Sequence, residues 1–242
     1  MKKIISIMLI LLISLTGCTV NGVGLESKKG SGIKETKTFD LKGFKKISAS
    51  HVFQVTIEKS DEFYVEVTYD DNLAEDIKVE VKGDTLKLYM DKKFNYNNVE
   101  VKATIKMPDI YGIKGSGVCD FELEEGFDFD HDLNLDFSGV SKLRGKISTG
   151  NIEIDISGCS SVSLKGSGKE LSCDVSGVSD LDLENFIVDN ADVEVSGSST
   201  AEINTNGKIK VDASGTSTLK YKGDATIDSL DVSGVAKVKK IK

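Results

Sequence analysis

The dipeptide Ser-Gly recurs at residues 116, 138, 157, 176, 196, 214 and 233, in steps of 22, 19, 19, 20, 18 and 19. A near-constant period of this length marks a repeat architecture, in which one small unit stacks on copies of itself. With each Ser set as position zero, positions −5, −3 and −1 are apolar. They are Leu133, Leu135 and Phe137 in one unit, Ile152, Ile154 and Ile156 in the next, then Leu171, Cys173 and Val175. Ala191, Val193 and Val195 follow, then Ile209, Val211 and Ala213, and Leu230 and Val232 take the last two places in the final unit. Position +5 is Phe121, Leu143, Val162, Leu181, Ala201, Leu219 or Val238. Position +7 is apolar at Leu123, Leu164, Leu183, Ile203 and Tyr221, and the second unit departs there with Gly145. Alternation with period two is the pattern of a half-buried strand. One such unit is too small for a core of its own, and stacking supplies the missing neighbour. The pattern predicts an all-β protein whose residues 113–240 form a parallel β-solenoid with coils of about 19 residues, each advancing ~4.8 Å. A meander of antiparallel hairpins is the competing arrangement. The Gly of each corner permits positive φ and leaves room for the next coil. The Ser can stack as a column or bond the corner amides.

Residues 37–112 alternate without the repeat and read as an N-terminal β region. Phe53, Val55 and Ile57 share one face, and Val65, Val67 and Tyr69 share another. Leu86, Leu88 and Met90 follow the Gly83-Asp84 turn, and Val101, Ala103, Ile105 and Met107 precede Pro108, the single proline. Asp71–Asp76 has room for one helical turn. Region and solenoid together read as one continuous domain, 37–240.

Lys2 and Lys3 precede an apolar run from Ile4 to Leu15, which ends in Leu15-Thr16-Gly17-Cys18. The run is short for a membrane span of ~20 residues and suits a signal peptide. Its end resembles the bacterial lipobox, which implies cleavage before Cys18, a signal peptide over 1–17 and a diacylglycerol thioether on the Cys18 thiol. Two or three acyl chains hold a protein on a bilayer where one exchanges. The expected location is the bacterial cell envelope, with the domain exported and membrane lipid as the partner of Cys18. Residues 18–36, rich in Gly and charge, read as the lipidated Cys and a flexible tether.

The net charge is −8, and near −10 once Lys2 and Lys3 are removed. Such a chain is a poor partner for nucleic acid. Trp is absent and His numbers two, so the usual catalytic bases and zinc ligands are scarce. Position −2 carries Asp136, Asp155, Asp174, Glu194, Asp212 and Asp231. In a solenoid these six carboxylates stack on one outward face, against mutual repulsion. The column reads as a solvated acidic face or as a weak Ca²⁺ site. Asp128, Asp130 and Asp132 share one face of Phe127–Asp132, with His131 on the other, and read as a charged rim or a divalent-ion loop. No other cofactor is expected. Cys173 and Cys159 read as buried small hydrophobes, and Cys119 as a less buried corner residue.

Phe44-Lys-Lys-Ile47, Val52-Phe-Gln-Val55-Thr-Ile57, Tyr69-Asp-Asp-Asn-Leu73 and Val81-Lys-Gly-Asp-Thr-Leu86-Lys-Leu88 precede the Ser-Gly units. Together they resemble the family called "putative auto-transporter adhesin, head GIN domain" over roughly residues 37–238. The resemblance implies a right-handed parallel β-helix, an exported and often lipid-anchored location, and no particular activity. The expected role is non-enzymatic, adhesion or scaffolding toward an envelope protein or glycan. The alternative is a carbohydrate-binding or polysaccharide-cleaving β-helix protein.

Overall fold

The computed structural model describes residues 26–91 and 93–242, so the expected signal peptide and Cys18 lie outside the described residues. The N-terminal strands are β1 (Glu26–Lys29), β2 (Lys34–Phe39), β3 (Lys46–Lys59), β4 (Tyr64–Asp70), β5 (Ile77–Lys82), β6 (Thr85–Met90), β7 (Phe94–Asn97) and β8 (Lys102–Met107). Next come β9 (Gly112–Asp128), β10 (Leu133–Phe137), β11 (Lys142–Ser148), β12 (Ile152–Ile156), β13 (Ser161–Ser167), β14 (Glu170–Val175) and β15 (Asp180–Val188). The chain continues with β16 (Asn190–Val195), β17 (Thr200–Thr205), β18 (Lys208–Ala213), β19 (Thr218–Lys222), β20 (Thr226–Val232) and β21 (Lys237–Lys240).

The even-numbered strands from β10 to β20 pair in parallel as one wall. The odd-numbered strands from β11 to β21 pair in parallel as the other. The long β9 serves both walls, pairing with β10 and β11. The result is a parallel β-solenoid of about 6 turns with roughly 20 residues per turn. Positions −5, −3 and −1 point inward and are buried from Leu133 to Ala213. In the last coil Leu230 and Val232 hold the same register but are 50% and 43% exposed, because no described strand stacks on them.

Each corner glycine from Gly117 to Gly234 has φ between 71° and 85°. A Cβ on Gly139, Gly158, Gly177 or Gly197 would meet the carbonyl oxygen of the glycine one coil earlier at 2.5–2.6 Å. That approach lets the corner join the ladder: the Val140, Cys159, Val178 and Ser198 amides each donate to the preceding corner carbonyl at 2.7–2.8 Å. The hydroxyl that goes inward belongs to the Ser at +3. Ser141, Ser160, Ser179, Ser199 and Ser217 are buried, and Ser141 Oγ and Ser217 Oγ donate to the Ser138 and Val195 carbonyls at 2.9 and 3.0 Å.

This +3 column corrects the reading of two cysteines. Cys119 lies in it and is buried, while Cys159 lies at +2 and is exposed. Val118, Val140 and Val178, its column mates, are 56%, 48% and 64% exposed. The corner turns +2 outward and brings +3 back under the stack. Cys173 is buried as expected.

The solenoid begins earlier than the repeat. Strand β3 pairs with β9 in one unbroken register from Lys46↔Gly112 to Ile57↔Leu123. Ser50 therefore aligns with Ser116, and His51 with Gly117. His51 keeps the corner's φ, at 78°, in a region that non-glycine residues seldom occupy. Strands β6 and β8 stack in parallel on the other edge of β3. Strands β5, β4 and β2 then close this end in antiparallel fashion, and a single 3₁₀ turn spans Asp71–Leu73. Two parts of the segment expected to be a tether, residues 18–36, are strands. Residues 26–29 pair with β7, and residues 34–39 pair with β4 as an exposed edge strand whose hydrogen bonds are made by the backbone whatever the charge and polarity of its side chains.

Val193 faces the core and Glu194 faces solvent in the same strand. Val193→Asp buries an unpaired carboxylate and is expected to cost several kcal/mol, on the order of 3. Glu194→Lys is expected to stay within about 0.5 kcal/mol of wild type or to stabilise. Urea unfolding midpoints decide it, and a larger loss for the Glu194 variant would contradict the register.

Candidate functional site

The wall built from β10 to β20 carries three outward columns. At −2, Asp136, Asp155, Asp174, Glu194, Asp212 and Asp231 are direct cross-strand partners, as the spacing predicts. Lys114 continues this column on β9, opposite Asp136, and Ser48 and Lys87 lie beyond it. The Lys114 ammonium pairs with the Asp136 carboxylate. The column is therefore basic at one end and acidic for the rest of its length. Asp155 shows the strain: partial burial, then the charges of Glu153, Asp136 and Asp174, raise its pKa, against a weaker pull from Lys114.

Columns −6 and −4 flank a shallow groove of about 820 Å³ that crosses the rungs from Lys46 and Tyr111 to Lys208, Lys210 and Asp228. Its floor is the backbone around Leu133, Ile152, Leu171 and Ala191, whose side chains are buried in the core. Its walls are planar polar side chains held in pairs. Asn134 Nδ2 donates to Glu153 Oε2 at 2.8 Å. Asn190 Nδ2 donates to Glu170 Oε1 at 2.8 Å, and Asn190 Oδ1 accepts from the Lys208 amide at 2.8 Å. Asp132 Oδ1 accepts from the Asn151 amide at 3.2 Å.

A stack of rings borders the Tyr111 end. His131 lies against Tyr111 at 3.7 Å between centroids and against Phe129 at 3.9 Å, nearly parallel to both. Its Nε2 contacts Asp109 Oδ1 at 2.8 Å, and Lys45 Nζ sits 4.8 Å from the Tyr111 centroid. Sequence reasoning missed this cluster. Tyr111 is at position −5, where the later coils carry aliphatics, and its partners arrive one coil on.

Asp128, Asp130 and Asp132 are exposed around the β9–β10 connection, opposite the half-buried Phe129 and His131. Neither they nor the −2 column brings three His, Cys, Asp or Glu side chains together as a metal site among the described residues. In the column successive carboxylates stand one rung apart along a line, whereas a hard cation needs ligands converging on a point. Burial pushes the Cys119 and Cys173 thiols up, which keeps them protonated packing groups.

The Asp155 carboxylate yields a pH signature. A carboxyl whose folded pKa is raised destabilises the fold above that pKa and ceases to do so as the pH falls through it. Asp155→Asn should therefore raise the unfolding midpoint at neutral pH, by less than about 1 kcal/mol for so exposed a group. The gain should shrink toward zero near about pH 4. An equal gain at both pH values would contradict the assignment.

No curated protein matches the chain. Among solved structures, a "putative adhesin" from Bacteroides fragilis NCTC 9343 is 27% identical with a TM-score of 0.82, covering 88% of this chain and 100% of its own. Two chains from Parabacteroides distasonis ATCC 8503 share the fold. One is titled a putative adhesin, with 21% identity, TM-score 0.69 and coverage of 89% and 100%. The other is titled a "putative lipid binding protein", with 18% identity, TM-score 0.68 and coverage of 90% and 100%. Residues 43–225 match the family described as "Putative auto-transporter adhesin, head GIN domain". The stacked Ser-Gly corners and the match over those residues place the chain in one group: it belongs to the putative auto-transporter adhesin, head GIN domain family.

Proposed function

We propose that this chain is a non-enzymatic adhesion module, lipid-anchored through Cys18 to the bacterial cell envelope. The observation that carries the reading is the uniformity of the solenoid. From β9 to β21 every connection between strands is only one to four residues long. A hydrolytic or lytic cleft is built from long loops that surround reacting groups and exclude water. Here the polar groups stand in regular outward columns with only a shallow groove between two of them, an arrangement suited to multivalent surface contact. The core runs unbroken from Phe44 to Leu219, so the module is a rigid spacer. The family and the adhesin titles of its structural relatives support the same reading. Leu15-Thr16-Gly17-Cys18 supports the anchor.

Two measurements test the proposal. Wild-type protein in a bacterial host should incorporate a fatty-acid probe, and Cys18→Ser should not; equal label on both contradicts the anchor. Cells carrying Cys18→Ser, or lacking the gene, should be retained less than wild type on polysaccharide-coated surfaces under flow. Equal retention of all three strains contradicts the adhesion role.

A further inference from the structure

Of the surface features of this chain, the groove over the even-numbered strands combines concavity, fixed polar groups and a repeat that a ligand could match. It crosses successive rungs at right angles to the strands, so any occupant meets a new strand every ~4.8 Å. That is about the advance of one sugar ring along an extended β-linked chain. The walls present an amide or a carboxylate on each of the four rungs from β10 to β16, with Asn134, Glu153 and Asp192 on one side and Asn151, Glu170 and Asn190 on the other. The pairs Asn134–Glu153 and Asn190–Glu170 hold one another in place across neighbouring rungs. Each amide spends one of its two N–H groups in its pair and each carboxylate one of its oxygens, which leaves a donor and an acceptor for a hydroxyl. Side chains already fixed by one another lose little freedom when a ligand binds.

The same observations exclude other occupants. Five acidic side chains against three lysines line the groove, and the −2 carboxylates stand beside it. A polyanion meets repulsion there. An extended peptide binds through a free strand edge or through side-chain pockets. The strands beneath the groove are paired on both sides, and the side chains of the floor point into the core. Tyr111 does not serve as a stacking platform, since His131 and Lys45 take its two faces; it closes one end.

We propose that this groove binds an extended glycan carrying no negative charge, its sugars in step with the rungs from Tyr111 to Lys210. The proposal deepens the adhesion reading and rests on it: the glycan is what the module adheres to.

The test uses the mature chain carrying Cys18→Ser, titrated in a calorimeter with uncharged hexasaccharides of β1,4-linked glucose, N-acetylglucosamine, mannose and xylose. Polygalacturonate and an oligolysine of similar length serve as charged comparisons. At least one hexasaccharide should bind in the micromolar to millimolar range, and polygalacturonate should not. The double variant Asn134→Ala, Asn190→Ala should weaken binding by roughly tenfold or more while staying folded, its unfolding midpoint lowered only by the loss of the side-chain hydrogen bonds and of the Lys208 amide's partner. Glu153→Gln keeps an acceptor and should stay within about threefold of wild type. Binding by none of the hexasaccharides overturns the site, as does a double variant that binds like wild type. Oligolysine binding that Glu153→Gln abolishes overturns it in favour of a cationic peptide. The two proposals fail separately. Loss of cell retention in the Cys18→Ser strain with no hexasaccharide binding contradicts the groove alone. Hexasaccharide binding with unchanged retention contradicts adhesion alone.

Discussion

Corner glycines that stack backbone on backbone are the constraint on which the rest of this structure depends. At each corner the chain turns with positive φ, and the next coil's glycine lies so close that a side-chain carbon would penetrate the carbonyl beneath it. The close approach extends the parallel ladder around the corner. It also sets the register of both walls. Where corners align, position −3 must lie on −3 and position −2 on −2, coil after coil. The apolar columns then close a core with no separate packing problem to solve in each turn, and buried serine hydroxyls satisfy the turn carbonyls from inside.

Alignment has a consequence for the surface. Whatever residue type occupies an outward position is multiplied into a column, so like charges become neighbours. The −2 carboxylates tolerate this because they are exposed and because Lys114 neutralises the first of them. Asp155, next along the column, has its pKa raised first by partial burial and then by the charges of Glu153, Asp136 and Asp174. The flanking columns escape the problem by mixing residue types, Asn beside Glu and Lys beside Asp, and so become paired walls rather than a second strip of repulsion. A regular scaffold thereby presents a charged stripe and, beside it, a groove of fixed polar groups.

Much of the fold was legible because the repeat is carried by backbone-determining residues. Ser-Gly spacing and period-two alternation located the strands, the inward columns and the −2 ladder. Legibility failed where geometry outran the pattern. Ser50-His51 occupies a corner without its glycine, so the first coil looked like a different region. The corner's path exchanged the burial of Cys119 and Cys159, since nothing in a linear pattern says whether +2 or +3 returns to the core. Residues 26–29 and 34–36 are polar enough to read as tether yet pair at a sheet edge. The groove and the ring stack join residues a coil or more apart, and only stacking brings Tyr111 to His131 or Asn134 to Glu153.

The stacking constraint can be separated from the turn conformation. Gly83 and Gly177 both have positive φ, 63° and 79°. A Cβ at Gly83 meets nothing within 4 Å, whereas at Gly177 it would lie 2.5 Å from the Gly158 carbonyl oxygen. Left-handed backbone strain alone costs roughly 1–2 kcal/mol for alanine. The decisive measurement is the pair of urea midpoints for Gly83→Ala and Gly177→Ala. Close stacking predicts a loss near that figure at Gly83 and a clearly larger one at Gly177. Equal losses at the two sites would mean that the corners need glycine only for φ, and would contradict the view that their contact sets the register of the solenoid.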